Sequence, residues 1–250
     1  MSDFIVVIPS RYGSTRLPGK PLREIRGKTM MQRVHESAMA SGAIDVVIAT
    51  DDIRIRGVAE GFGAKVCMTS RTHESGTERI AEVSQQLGWA DEQVVVNLQG
   101  DEPMMPPALI AECAGLLDDG EADIATLASP LEHFRDWQDP NVVKVVTDRE
   151  GRALYFSRAS IPFARDTSGR DVIKRTALQH HGIYAYRCAA LRRFVAAGSC
   201  EIEQLERLEQ LRALWLGMHI RVGIASQRPG PGVDTEENLR TVSKMLEVRE

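Results

Sequence analysis

Four short apolar runs, separated by helical patterns, constrain this 250-residue chain more than any other feature. Phe4 to Ile8, Val46 to Ala49, Lys65 to Met68 and Val94 to Leu98 read as strands. Between them, Thr29 to Ala40 puts Met30, Met31, Val34 and Ala38 at helical spacing, and Ser41-Gly42 ends that helix. Ile53 to Gly61 is a shorter helix, and Ser75 to Leu87 turns Ile80, Ala81, Val83 and Leu87 inward. Strands alternating with helices at this spacing, the first of them apolar throughout, imply βαβ units and a mainly parallel sheet. Ligands of such sheets sit beyond the carboxyl ends of the strands. Three ends on that edge carry polar chemistry: the loop Pro9 to Pro21, the pair Asp51-Asp52, and Gln99-Gly100-Asp101-Glu102-Pro103.

The first loop holds three cations, Arg11, Arg16 and Lys20, with two glycines and three prolines. Backbone N–H groups and cations on such a loop suit a polyphosphate, whereas the plain alternative is a solvated surface loop. It is not a Walker loop: Gly13 and Gly19 enclose five residues rather than four, and Pro21 follows Lys20. The dinucleotide pattern G-x-G-x-x-G is absent too. Net charge over the chain is 31 − 35 = −4, which implies no general affinity for nucleic acid or anionic membrane. Met1 to Lys28 nevertheless carries six cations and two acids, a local +4, as expected for a small anionic ligand held locally.

The second half changes character. Asp123 to Ala128, Val142 to Thr147, Ala153 to Phe156 and Gly182 to Arg187 are strand-like, with Glu150-Gly151 as a hairpin turn, so an antiparallel insertion over roughly 123–200 is expected within a single domain. Arg165 to Arg175 is polar. Ile202 to Leu216 reads as one helix with Leu205, Leu208, Leu211 and Trp215 on a stripe, leaving Glu209 and Gln210 off its centre and able to face a site. Ile220 to Ala225 alternates as a strand, and Thr235 is a suitable N-cap for a last helix.

Cys67, Cys113, Cys188 and Cys200 are scattered, with no C-x-x-C pair, and read as free thiols of a reducing compartment. The six histidines lack zinc-ligand spacing. No apolar run approaches the roughly 20 residues of a membrane span. With no secretory signal pattern at the start, the expected location is cytoplasmic. Asp101 follows a buried strand, where a carboxylate is costly unless it serves something. Asp234 reads equally as a turn aspartate or a functional one. With phosphate oxygens, these two carboxylates suit a hard cation such as Mg2+. Asp51 and Asp52 are further possible ligands, and Asp51 equally suits orienting a loop. Ser75 with Glu78 is a helix cap, and His73 to Arg79 also offers hydrogen-bonding groups for a base or ribose.

Taken in order, these segments resemble the 3-deoxy-manno-octulosonate cytidylyltransferase family. The opening loop, Ser75-Gly76-Thr77-Glu78-Arg79, Gln99 to Pro103, Ala153 to Arg158, His181 to Arg187, Leu208 to Arg212 and Gly232 to Thr235 carry the resemblance, which runs from about Ile5 to Leu239. It implies a doubly wound α/β nucleotidyltransferase fold whose antiparallel insertion shapes the sugar site and a homodimer contact. It implies transfer of CMP from CTP to the sugar acid with release of pyrophosphate, feeding lipopolysaccharide synthesis. By motif, Arg11, Arg16 and Lys20 would hold the triphosphate, with Arg11, Lys20, Asp101 and Asp234 as catalytic residues. Ser75, Gly76, Thr77, Arg79 and Asp101 would border the nucleotide, and Asp101 and Asp234 would bind Mg2+. Gln99, Arg158, Arg165, His181, Tyr184, Glu209 and Gln210 would line the sugar site, with Arg158 gripping the sugar carboxylate and His181 the one candidate base. An N-acylneuraminate or amino-substituted octulosonate enzyme, a hexose-phosphate nucleotidyltransferase, and a regulatory nucleotide-binding protein are the rival readings.

Overall fold

β1 (Phe4–Ser10) runs through the middle of a nine-stranded sheet and sets its layers. The structure is a computed structural model that describes residues 3–13, 16–165, 173 and 176–247. Along β1, Phe4, Val6 and Ile8 pack into one hydrophobic cluster, while Ile5 and Val7 pack into another. Side chains of a strand alternate faces, so a strand with no polar position must be covered twice. On the first face lie α1 (Met30–Met39), α2 (Ile53–Gly61) and α4 (Pro107–Gly115), which supply Met31, Val34, Ile55, Leu109 and Ile110. On the second lie α3 (Gly76–Gln86), α6 (Cys188–Ala196) and α8 (Gln210–Trp215), which supply Ile80, Val83, Leu191, Phe194 and Leu211. Full burial of each such side chain is worth about 1.5–3 kcal/mol, so both layers are needed to hold the sheet.

β4 (Asp45–Thr50), β5 (Lys65–Met68) and β6 (Val94–Asn97) join β1 in a parallel block. The sheet order is β11-β7-β10-β6-β1-β4-β5. β7 (Ile124–Pro130) and β11 (Ile220–Ile224) pair in parallel, and β10 (Leu178–Arg187) runs antiparallel between β6 and β7. A hairpin of β8 (Lys144–Thr147) and β9 (Ala153–Ser157) joins the sheet through the start of β10. The second-half strands therefore extend the same sheet, with the hairpin as its antiparallel margin. β2 (Glu24–Ile25) and β3 (Lys28–Thr29) form a small separate ribbon, α5 spans Phe134–Gln138, and α9 spans Glu236–Glu247.

Caps set the helix starts. Thr29 accepts from Gln32 N at 3.2 Å before α1, Ser75 from Glu78 N at 3.2 Å before α3, and Thr235 from Asn238 N at 3.2 Å before α9. α6 has Cys188, Leu191 and Phe194 buried at helical spacing, whereas α4 follows from no periodicity signal. α4 is apolar at Ala108, Leu109, Ile110, Ala111, Cys113 and Ala114, which erases an amphipathic pattern. Leu87 lies just past α3 and is 38% exposed rather than inward.

The single helix expected over Ile202 to Leu216 is two. α7 (Glu201–Glu206) ends where Arg207 takes a left-handed conformation, φ 54°, and α8 begins at Gln210. Leu208 N then bonds Glu203 O at 3.2 Å, closing the first helix. Leu208 and Leu211 remain buried, but Leu205 and Trp215 turn outward. The break costs roughly 1–2 kcal/mol for a non-glycine residue and re-aims Glu209.

Candidate active site

The phosphate-type loop is fixed at its far end by Gly19. Its φ of +65° is the left-handed region, and an added Cβ would meet the Tyr12 ring at 3.3 Å. Gly19 N bonds Tyr12 O at 3.3 Å, and Lys20 then opens a short 3-10 turn, Lys20–Leu22, with Pro21 in its first positions. That turn is why no P-loop helix follows. At the neighbouring strand end, Gly100 passes so close to β1 that a Cβ would lie 3.0 Å from both Pro9 O and Ser10 Oγ. Gly100 thereby brings Asp101 beside the loop.

Lys20 is the centre of the arrangement. Its Nζ donates to Asp101 Oδ2 at 2.6 Å and to Asp234 Oδ1 at 2.9 Å. Burial opposes the ammonium charge, but the two carboxylates outweigh it and raise its pKa. Arg16 approaches the other Asp234 oxygen at 3.1 Å. Asp234 reaches the site because Val233 N bonds Asp101 O at 2.8 Å, docking a segment 133 residues later in sequence (234 − 101 = 133). Next to them Glu102 is pushed up to about 8 by burial and then by the charges of Asp101 and Asp234, against the opposing charge of Lys20.

These residues stand between two cavities. The larger, about 800 Å3, is walled by the loop residues Arg11, Gly13, Arg16 and Lys20, by His73 to Gly76 and Arg79, and by Gln99, Gly100 and Glu209. The smaller, about 430 Å3, is walled by Glu102, Asn141, Gln179, His180, His181, Arg228 and the turn Pro229 to Val233. Asp101 and Asp234 line both. The larger lies near the top of the ~300–1,000 Å3 range of small-molecule sites and is walled mostly by polar groups.

Of the expected site residues, Arg11, Arg16, Lys20, Ser75, Gly76, Arg79, Gln99, Asp101, Glu209 and Asp234 line the larger cavity, and His181 lines the smaller. The others lie elsewhere. Thr77 is 1% exposed behind the wall and donates to Glu209 Oε2 at 2.6 Å. Tyr184 packs in the core between His180 and Tyr186, with ring centroids 5.3 and 5.9 Å away. Gln210 begins α8 and lines neither cavity. Arg158 also lines neither: its guanidinium donates to Glu206 O at 2.8 Å and Pro140 O at 3.0 Å. Arg165 is exposed on the loop after β9 and likewise lines neither cavity.

Asp51 and Asp52 also have other partners. Asp52 caps α2 and binds Arg54, whose side-chain hydrogen bond holds its pKa down to about 2. Asp51 faces Arg79 at 3.7 Å. Arg79, itself 3% exposed, also donates to the Thr69 hydroxyl and to Ser70 O at 3.2 Å, so it enters the cavity wall on fixed supports.

His181 sits at a register shift between β10 and β7, between His181 and Tyr184. Its Nε2 lies 2.8 Å from Ser129 Oγ. Burial, then Arg228, lowers its pKa to about 4. The ring is therefore neutral at pH 7, a sound hydrogen-bonding group and a weak proton acceptor. Among the described residues, no cluster of three or more His, Cys, Asp or Glu groups could hold a metal. The Asp101–Asp234 pair nevertheless converges on one cation, the Lys20 ammonium. A hard cation completed by phosphate oxygens and water fits the same two carboxylates.

The comparisons with known proteins decide the family. A cytidylyltransferase family model matches residues 5–220. The 3-deoxy-manno-octulosonate cytidylyltransferase of Thioalkalivibrio sulfidiphilus (strain HL-EbGR7) is 54% identical over 248 residues, covering 98% of this chain and 99% of that one. The chain belongs to the 3-deoxy-manno-octulosonate cytidylyltransferase family. The enzyme of that name from Pasteurella multocida (strain Pm70) is 48% identical, covering 99% and 100%. A solved CMP:2-keto-3-deoxy-manno-octonic acid synthetase, complexed with CTP, superimposes over 100% of both chains with a TM-score of 0.91 at 41% identity. A cytidylyltransferase from Leptospira borgpetersenii shares the fold at a TM-score of 0.62 and 16% identity. The mainly parallel α/β sheet is thus the nucleotidyltransferase fold expected from the sequence.

Several residues of this cytidylyltransferase's cavities lie outside the site set expected from the sequence. Ser10 ends β1 buried at 2% exposure, lines the larger cavity, and its Oγ has no hydrogen-bond partner among the described residues. Asn141, Gln179 and Arg228 of the smaller cavity come from three distant segments without a shared motif. Ser10 was findable in principle, as the polar residue closing an apolar strand beside the phosphate-type loop.

Proposed function

We propose that this chain transfers CMP from CTP to the anomeric hydroxyl of 3-deoxy-D-manno-octulosonate and releases pyrophosphate. The observation that carries the reading is the Asp101–Asp234 pair, bound by Lys20 and lining both cavities. Supporting it are the family and its relatives, one of them solved with CTP.

CTP occupies the larger cavity with its phosphates on Arg11, Arg16 and Lys20. Triphosphate brings about four negative charges, and positioning with charge neutralisation is most of what such a transfer needs. The sugar acid meets the α-phosphorus beside Asp101 and Asp234, between Gln99 and Glu209 on one side and His181 on the other. The hydroxyl oxygen forms the new P–O bond and gives its proton to water, and the α–β bridging bond breaks with its electrons leaving on pyrophosphate. Lys20 and the arginines neutralise that leaving group. Asp101 and Asp234 would hold Mg2+, which when bound supplies Lewis-acid charge neutralisation at the phosphates.

The reading extends to a product used in lipopolysaccharide synthesis, a cytoplasmic location and a homodimer. No described helix is long and apolar enough to cross a membrane. The test is pyrophosphate release. It should require CTP and the octulosonate together, fall at least about a hundredfold with UTP or ATP, and stop with EDTA. Equal rates with an N-acylneuraminate would overturn the assignment of the acceptor.

A further inference from the structure

We infer that Thr77 is a positioning residue: its buried hydroxyl holds the Glu209 carboxylate in the wall of the larger cavity, where the sugar acid meets it, and gives its proton to no nucleotide atom. The inference rests on the reading of Glu209 as a sugar-acid contact.

The motif that contains Thr77 suggests a nucleotide contact, but the geometry assigns its hydroxyl proton elsewhere. A hydroxyl has one proton to give, and Thr77 gives it to Glu209 Oε2 at 2.6 Å. Thr77 is 1% exposed and lines neither cavity. Its neighbours in the chain, Ser75 and Gly76, do line the larger one. The first turn of α3 therefore splits its work, with one part facing the ligand and the next facing the protein.

Glu209 needs such a hold. It lies at the break between α7 and α8, on a side chain with several free torsions. The guanidinium of Arg212, which favours the Glu209 charge, is taken by Glu203 through bonds of 2.8 and 2.6 Å. Behind the carboxylate, buried Tyr186 places its hydroxyl against the same Thr77. Glu209 Oε1 is buried with no hydrogen-bond partner among the described residues, and Glu209 is part of the larger cavity's wall. A buried acceptor without a partner is costly, and a sugar hydroxyl would satisfy it. Burial raises the Glu209 pKa, while the Thr77 and Ser75 hydroxyls and Arg212 act to lower it, so Thr77 also supports the ionised, accepting form.

The experiment is a double-mutant cycle in the full-length enzyme with separate KM values for CTP and the octulosonate. Thr77→Val should raise the sugar KM about 10- to 100-fold, the worth of one hydrogen bond to a charged group, with the CTP KM nearly unchanged. Thr77→Ser, which restores the donor, should recover most of the loss. In a Glu209→Gln background, Thr77→Val should add little. Thr77→Ala replaces Thr77→Val if the valine disturbs folding. A rise in CTP KM alone in Thr77→Val would mean that Thr77 touches the nucleotide, and additive effects in the cycle would mean that it acts without Glu209; either overturns the inference. If Glu209→Gln shifts the CTP KM instead, the sugar-contact reading fails while the coupling is still measured by the cycle.

Discussion

Lys20→Met is the most informative perturbation of this site, because one ammonium holds both carboxylates. It donates at 2.6 and 2.9 Å, with side-chain exposures of 16% for Lys20, 32% for Asp101 and 45% for Asp234. Such exposure puts each bond at the weak end for charged groups, about 1.5 kcal/mol, or about 3 kcal/mol for two. Ordering the lysine side chain takes back up to about 2 kcal/mol. The net loss of stability in cation-free buffer is thus only about 1 kcal/mol, a fall in Tm of about 2–4 °C. The same 1 kcal/mol is what a divalent cation must overcome to displace Lys20. Its absence should tighten cation binding without nucleotide about fivefold. Turnover moves the other way: losing one preorganised donor to the phosphates should cut kcat/KM for CTP about 100- to 1,000-fold. Calorimetric titration of Mg2+, thermal melts in EDTA and steady-state kinetics separate the three. Unchanged cation affinity together with near-normal turnover would refute both the bridging role and the phosphate role.

Two further outcomes follow from the same contacts. His180 and His181 are neutral in the fold, with pKa values lowered by burial to about 3 and about 4. Since the unfolded histidines protonate first, near the usual 6.5, their stability contribution is complete above that value and shrinks as pH falls toward 4. Between pH 7 and about pH 5.5 the pair should cost about 2 kcal/mol in a urea titration, and a flat profile would contradict their burial. Arg158→Ala removes donors from the carbonyls of Glu206 and Pro140. It should lower stability by about 1–3 kcal/mol and leave the CTP KM alone. A selective rise in the sugar KM with no loss of stability would return Arg158 to the carboxylate-gripping role that its motif implies.

The α/β layers were legible because β1, β4 and β6 are apolar through their middles, with polar residues only at their ends, and a doubly covered parallel sheet accommodates that. The phosphate-side wall was legible for a related reason: loops after parallel strands share one edge, so Lys20 and Asp101 had to be neighbours once the strands paired. Other features depended on choices that no local pattern encodes. Arg207 adopts a left-handed conformation although nothing in its residue type demands it, and that choice turns a leucine stripe into two short helices and delivers Glu209. Thr77 and Ser75 stand two residues apart, yet one faces the core and the other the cavity. The smaller cavity joins Asn141, Gln179 and Arg228 through the antiparallel placement of β10 and the loop after β11, contacts of long sequence separation.

The placement of β10 also accounts for why the chemistry collects where it does. β6 has β1 as a parallel neighbour on one side and β10 as an antiparallel neighbour on the other. The loops after β1 and β6 therefore share one edge, as the positions of Lys20 and Asp101 require. β10 runs the opposite way, so its early residues, among them His180 and His181, lie toward that edge, while Arg187 pairs with Val94 at the start of β6. A fully parallel sheet would put a strand's C-terminal loop there instead. The antiparallel strand presents buried side chains, which can be neutral imidazoles as these are. Asp234 completes the junction from a distant segment, held there by its neighbour Val233, whose N–H donates to the Asp101 carbonyl. A junction of two loops and one strand, closed by a distant segment, exposes its carboxylate pair to a cavity on either side. Both cavities thus open onto the same pair of carboxylates, beside which the sugar hydroxyl must approach the α-phosphorus opposite the departing pyrophosphate.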